Sequence, residues 1–184
     1  MSDTTTAPAA ADAATQAALE RLNTVIDRLI APDGCPWDST QTPESLTEYV
    51  IEECHELVDA IRSGKTADMV EELGDVAFLI LMIGKLMARA GGPSLADALE
   101  VEAAKMVRRH PHVFSDTTYE NQSEQLKDWD RIKREEKAAA DAEGPKGTYD
   151  SLPRGLPPLT KAYRIHSKAD RVGFTWPEDE DVEK

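Results

Sequence analysis

The run from Val76 to Ala88 is the most apolar in the chain, and on a helix it is apolar on most sides rather than along one stripe. A helix of that kind needs neighbours all round. It therefore predicts burial in a bundle or at a face shared between two copies. The run is too short to span a bilayer and contains Lys85, so no membrane partner is expected. Immediately before it stand Glu71-Glu72-Leu73-Gly74-Asp75, and one helical stretch earlier stand Glu52-Glu53-Cys54-His55-Glu56. Glu53 and Glu56 are three residues apart, as are Glu72 and Asp75, and on a helix such pairs point the same way.

If the two helices pair as an antiparallel hairpin, these four carboxylates converge. At an effective dielectric near 20, two unit charges ~5 Å apart repel by about 3 kcal/mol. Summed over six pairs this approaches ~20 kcal/mol, more than a domain's whole stability of roughly 5–15 kcal/mol. The cluster must be protonated, splayed apart, or filled with cations. Oxygen-only ligands favour Mg²⁺ or Mn²⁺ over zinc. A solvated surface face would intersperse lysines as i,i+4 partners, but Glu44 to Arg62 contains no Lys.

Hydrophobic residues make up 40% of the 184, enough for a core, while aromatics are 5% and period-two Val-Ile-Thr runs are missing. That combination predicts an all-α protein, a helical bundle packed by Leu, Ile, Met and Ala. A net charge of −14 excludes a protein that wraps a nucleic-acid polymer, which needs a basic face. It leaves nucleotides open, because metal ions can carry positive charge to phosphates. Cys35 and Cys54 make neither a disulfide framework nor a zinc site, and Met1 to Asp12 lack the regions of a signal peptide. A cytoplasmic location is expected.

The pattern divides the chain into a disordered tail (1–12), a helical domain (13–142), a Pro/Gly linker (143–158) and a C-terminal helical segment with an acidic tail (159–184). Helices are predicted over about Thr15–Ile30, from Pro43 to Arg62 with Thr42 as N-cap, and over Ala67–Ala90, Leu95–Arg109, Ser123–Asp141 and Leu159–Arg171. The second is expected to bury Leu46, Val50, Leu57 and Ile61. One echo, Glu56-Leu57-Val58-Asp59-Ala60 against Glu72-Leu73-Gly74-Asp75-Val76, is either chance or a local pseudo-twofold.

Glu52 and His55 form a Glu-x-x-His step like that of carboxylate-bridged di-iron bundles. The second helix carries Glu-x-x-Asp instead, which leaves such a site without its second histidine. In a chain this acidic, the clustering of Lys105, Arg108 and Arg109, and of Lys127, Lys133 and Arg134, is a modest signal for phosphate binding. Lys105 and Arg109 share a helix face, and so do Trp129 and Lys133. His110 and His112 flank a helix-breaking proline and suit a structural role. Trp37 is either core or a base-stacking surface.

Cys35-Pro36-Trp37-Asp38 with Gln41-Thr42, the Glu-Glu-x-x-Glu of Glu52 to Glu56, and Glu72-Leu73-Gly74-Asp75 together resemble the MazG nucleoside triphosphate pyrophosphohydrolases. Arg108-Arg109-His110-Pro111-His112-Val113-Phe114, Trp129-x-x-x-Lys133 and Arg171-Val172-Gly173-Phe174-Thr175-Trp176 extend the match, which runs from about Leu19 to Trp176. The resemblance is to the first of the two domain copies in longer members, plus the connector. It implies an all-α NTP pyrophosphatase fold with its core completed by dimerisation, as a homodimer or higher homo-oligomer. It implies Mg²⁺, with Mn²⁺ as a substitute, held by Glu53, Glu56, Glu72 and Asp75. Glu52, Glu53 and Glu56 are the implied catalytic residues, with Glu52 placed to orient or deprotonate the attacking water. Lys105, Arg109, Trp129 and Lys133 are the implied contacts to nucleotide and phosphates. The implied reaction converts a nucleoside triphosphate to its monophosphate and pyrophosphate, in nucleotide-pool housekeeping. The competing expectation is a non-catalytic helical module that binds nucleotides or a partner.

Overall fold

The structure, a computed structural model, describes residues 6–140, 147, 149–150, 152–171 and 173–174. The rest of the expected tail, parts of the linker and the acidic end lie outside the described residues. Every regular element among those described is helical: α1 (Thr6–Leu29), α2 (Thr47–Ser63), α3 (Thr66–Arg89), α4 (Leu95–Arg109), α5 (Pro111–Phe114), α6 (Gln122–Ala140) and α7 (Pro158–Arg171). A single 3-10 turn, Asp38–Thr40, precedes α2. The expected all-α class is observed.

The chain divides into two compact units, Met1–Met106 and Val107–Lys184. This boundary falls near the end of α4, whereas the sequence pattern grouped 13–142 together. At the other end α1 begins at Thr6, inside the stretch expected to be a disordered tail. Residues 7–14 are mostly alanine, the best helix former, and Pro8 sits in the first turn, where its missing N–H is harmless.

In the first unit α3 packs along α2 and, less extensively, against α1. The α2–α3 hairpin closes at Gly64, whose φ of 71° is the left-handed C-cap conformation that glycine adopts without a Cβ penalty. Ile26 of α1, Ile30 just after it, Leu46 before α2, and Leu79, Leu81, Met82 and Leu86 of α3 form the core. Gly84 lets α4 start against α3, since a Cβ there would lie 2.6 Å from that of Leu95.

Two local expectations differ in detail. Helix α2 starts at Thr47 rather than Pro43, because Thr42 and Ser45 cap each other's backbone N–H in a separate turn. Along α2 Ala60 is buried and Ile61 is exposed, while Val50 and Leu57 are half-buried. The helix is therefore rotated slightly from the predicted stripe. Helix α4 begins at Leu95 as expected, and before it the Ser94 hydroxyl accepts the Asp97 N–H at 3.3 Å while Asp97 accepts the Ser94 N–H at 2.7 Å. The Ser94 hydroxyl, which donates to the Asp97 carboxylate at 2.6 Å, and then the Ser94 N–H hold the Asp97 carboxyl below the usual carboxylate range.

In the second unit α6 carries Trp129 and Ile132 half-buried, while Leu126, at the same three-residue spacing, is exposed. Pro111 ends α4 as predicted and starts the single turn of α5. No helix among the described residues is long and apolar enough to cross a membrane.

Candidate functional site

The hairpin brings three of the four predicted metal ligands together. Glu53 and Glu56 on α2 and Glu72 on α3 each offer a carboxylate oxygen, and these oxygens lie within 4.8 Å of one another. Glu53 and Glu72 are half-buried and Glu56 is exposed. Partial burial, then the charges of Asp75, Glu56 and Glu52, push the Glu53 carboxyl above its ordinary 4.5. Partial burial, then Glu56, Glu53, Glu71 and Asp75, push Glu72 upward likewise.

Asp75 stands outside the 4.8 Å group, yet its charge acts on Glu53 more strongly than that of Glu56 does. Glu52, the implied water-orienting residue, is exposed and the weakest of the charges acting on Glu53. His55 is exposed and takes no part in the group, so the Glu-x-x-His step of a di-iron site is not assembled. None of Glu53, Glu56 and Glu72 has an ion-pair partner among the described residues. A hard divalent cation fits this donor set, which is all oxygen, carries excess negative charge and opens to water.

A loop held against the core leads into the same hairpin. Arg89 donates from Nη1 to the Ile30 carbonyl at 3.0 Å, and its Nη2 lies 3.4 Å from the Gln41 carbonyl. Gly34 is obligatory here, because a Cβ would lie 2.3–2.9 Å from the carbonyl oxygens of Arg28, Leu29 and Ala31. Trp37, on which the sequence left two readings open, is 48% exposed and meets Tyr49 edge-on at 5.7 Å. Tyr49, Glu53 and Glu56 follow the i, i+4, i+7 spacing of one helix face. Sequence reasoning missed Tyr49, whose contact with Trp37 no spacing along α2 specifies.

The implied nucleotide contacts fall in both units. Lys105 belongs to the first and pairs with Glu102 of its own helix. Arg109, Trp129 and Lys133 belong to the second. There the Arg109 guanidinium lies 5.6 Å from the Trp129 ring centroid, and His110 meets the same indole edge-on at 4.9 Å. The Glu136 carboxylate accepts Nε and Nη2 of Arg109 at 2.9 and 2.7 Å and Nε of Arg108 at 2.9 Å. Burial pushes the Glu136 carboxyl up, but the bonds from Arg109 and Arg108 outweigh it and hold the group below its ordinary range.

A family model described as a MazG nucleotide pyrophosphohydrolase domain matches residues 41–114. A nucleoside triphosphate pyrophosphohydrolase of Escherichia coli K12 is 38% identical over 159 residues, 86% of this chain and 59% of its own length. Residues 41–114 of this chain are a MazG-family domain. The nucleoside triphosphate pyrophosphohydrolase/pyrophosphatase MazG of Thermotoga maritima is 37% identical over 163 residues, 89% of this chain and 61% of its own. The chain thus spans less than two thirds of the length of these curated relatives. The crystal structure of a MazG-related protein from Thermotoga maritima superposes with a TM-score of 0.54 at 29% identity, covering 62% of this chain and 97% of that one. The MazG match contains α2, α3 and α4, hence all four acids together with Lys105 and Arg109, whereas Trp129 and Lys133 lie beyond it.

Proposed function

We propose that this chain hydrolyses nucleoside triphosphates between the α- and β-phosphates, releasing a monophosphate and pyrophosphate. The observation that carries this reading is the group of three carboxylates on α2 and α3, within 4.8 Å of one another and without a basic partner among the described residues. The names of the relatives support the same reading. Glu53, Glu56, Glu72 and Asp75 would hold Mg²⁺, or Mn²⁺ in its place. When bound, such an ion supplies charge for the phosphate oxygens and lowers the pKa of a water.

The chain's own groups do the rest. Glu52 orients the attacking water or takes its proton. Lys105, Arg109 and Lys133 neutralise phosphate charge, and Trp129 offers an apolar face to the nucleotide. Trp37, packed on Tyr49 one turn before Glu53, adds an exposed aromatic surface near the acids. The functional domain is taken as 13–142, cytoplasmic, with a role in nucleotide-pool housekeeping. Because α3 leaves Val70, Leu73 and Ile80 exposed and α4 leaves Leu99 and Val101 exposed, a homodimer or higher homo-oligomer completes the core. That exposure also favours the second reading, a non-catalytic module that docks on a partner.

Pyrophosphate release from mixed nucleoside triphosphates with saturating Mg²⁺ separates the two. Hydrolysis that stops on chelation and returns with Mg²⁺ is expected. No product at saturating metal would leave the binding module.

A further inference from the structure

Trp129, Lys133 and Glu136 are spaced four and three residues apart on α6, the spacing of one helix face. The first two are the aromatic and cationic contacts of the proposed site, while Glu136 has no part in that reading. An acid on a phosphate-binding face is electrostatically unfavourable unless it serves its neighbours. Glu136 has such neighbours in Arg108 and Arg109.

The geometry defines what Glu136 does to Arg109. Its Oε2 takes the Nε edge of the guanidinium, through Nε and Nη2, so Nη1 stays out of this pair. The carbon of the same guanidinium lies over the Trp129 ring, 5.6 Å from its centroid. Arg109 is thus held at one edge and on one face, with its side chain 14% exposed and that of Glu136 21% exposed. An incoming phosphate need not displace a carboxylate held this way, because a guanidinium has donors on more than one edge. What the phosphate meets is a long side chain whose rotamer freedom has already been spent.

Resting on the proposed activity, we infer that Glu136 is a positioning residue that pre-orients Arg109 against Trp129 for binding the polyphosphate of the substrate. Without it Arg109 must be ordered at each binding event. Ordering one rotamer-rich side chain weakens binding by roughly three- to tenfold. A blocking carboxylate predicts the opposite sign, since its removal would free the arginines and tighten binding.

The test measures calorimetric binding of inorganic tripolyphosphate with Mg²⁺ to the full chain, beside steady-state hydrolysis of nucleoside triphosphates. Glu136→Gln is expected to raise the tripolyphosphate Kd and the KM by about three- to tenfold, with kcat changed less. Glu136→Asp, which keeps the charge with a shorter reach, is expected to fall between wild type and Gln, and it carries the test if the Gln variant does not fold. An unchanged or tighter Kd in either variant overturns the inference, as does a wild-type chain that binds no tripolyphosphate. A wild-type chain that binds tripolyphosphate but releases no pyrophosphate overturns the activity, leaving the positioning role to the binding data.

Discussion

The α2–α3 hairpin and the ionic cluster around Glu136 both gather charge in a small space, but they resolve it in opposite ways. In the hairpin Glu53, Glu56 and Glu72 face one another with no basic partner among the described residues, and the carboxyls of Glu53 and Glu72 are pushed up. Around Glu136 the acid is saturated by two arginines and its carboxyl is pulled down. Asp128 is likewise lowered, by the Tyr119 hydroxyl at 2.6 Å and then by Arg131. The first region lacks a positive charge, and the second is complete within its own unit. On the proposed function, the charge missing from the hairpin is supplied by a bound cation, and an all-oxygen donor set suits a hard one.

The largest effect is expected where the hairpin loses a ligand. Glu56→Gln should lower pyrophosphate release more than about a hundredfold, since losing even an outer partner of a metal ligand costs 10–100-fold. The metal-free variant should fold at least as stably as wild type, because the change relieves repulsion. Circular dichroism and thermal melts check this, and lost helix content would contradict the assignment. In the other region the sign reverses. Arg109→Ala strips Glu136 of a partner that donates two hydrogen bonds to it, and should cost about 1 kcal/mol in denaturant melts, a figure that allows for the remaining solvent screening of a largely buried pair.

A smaller effect, opposite in the two regions, is expected from pH. Raised carboxyls mean that the folded hairpin binds more protons than the unfolded chain near their titration range. Their contribution to metal-free stability is therefore full below the ordinary 4.5 and lost as pH rises through the folded value. For Glu136 and Asp128 the folded pKa is depressed, so stability is present above the ordinary value and lost as pH falls through the folded one. Melts of Glu72→Gln should lie above wild type at pH 7 and converge with it on acidification. Those of Glu136→Gln should lie below at pH 7 and converge likewise. Parallel curves for both variants would erase the contrast.

The helices and the acidic pairs were legible in the sequence because both rest on periodicity. Gly64, Ser94 with Asp97, and Pro111 set helix ends by local chemistry, and the end of α2 and both ends of α4 fall close to the predicted Arg62, Leu95 and Arg109. Two kinds of feature were not legible. The start of α2 depended on whether Thr42 caps a helix or a separate turn, which Ser45 decides by capping back. Glu136 and Tyr49 acquire meaning only from partners distant in the chain: Arg109 lies 27 positions before Glu136, and Trp37 lies across the loop that precedes α2. The rotation that buries Ala60 in place of Ile61 likewise reflects how α3 packs against α2, which no stripe on one helix specifies.

Mn²⁺ binding, followed by electron paramagnetic resonance, tests the central claim most directly in wild type and in Glu53→Gln, Glu56→Gln and Glu72→Gln. The account predicts that wild type removes free Mn²⁺ from the signal, that Mg²⁺ competes for the same site, and that each variant weakens binding. A wild-type protein that leaves the Mn²⁺ signal unchanged, or variants that bind as wild type does, would contradict it.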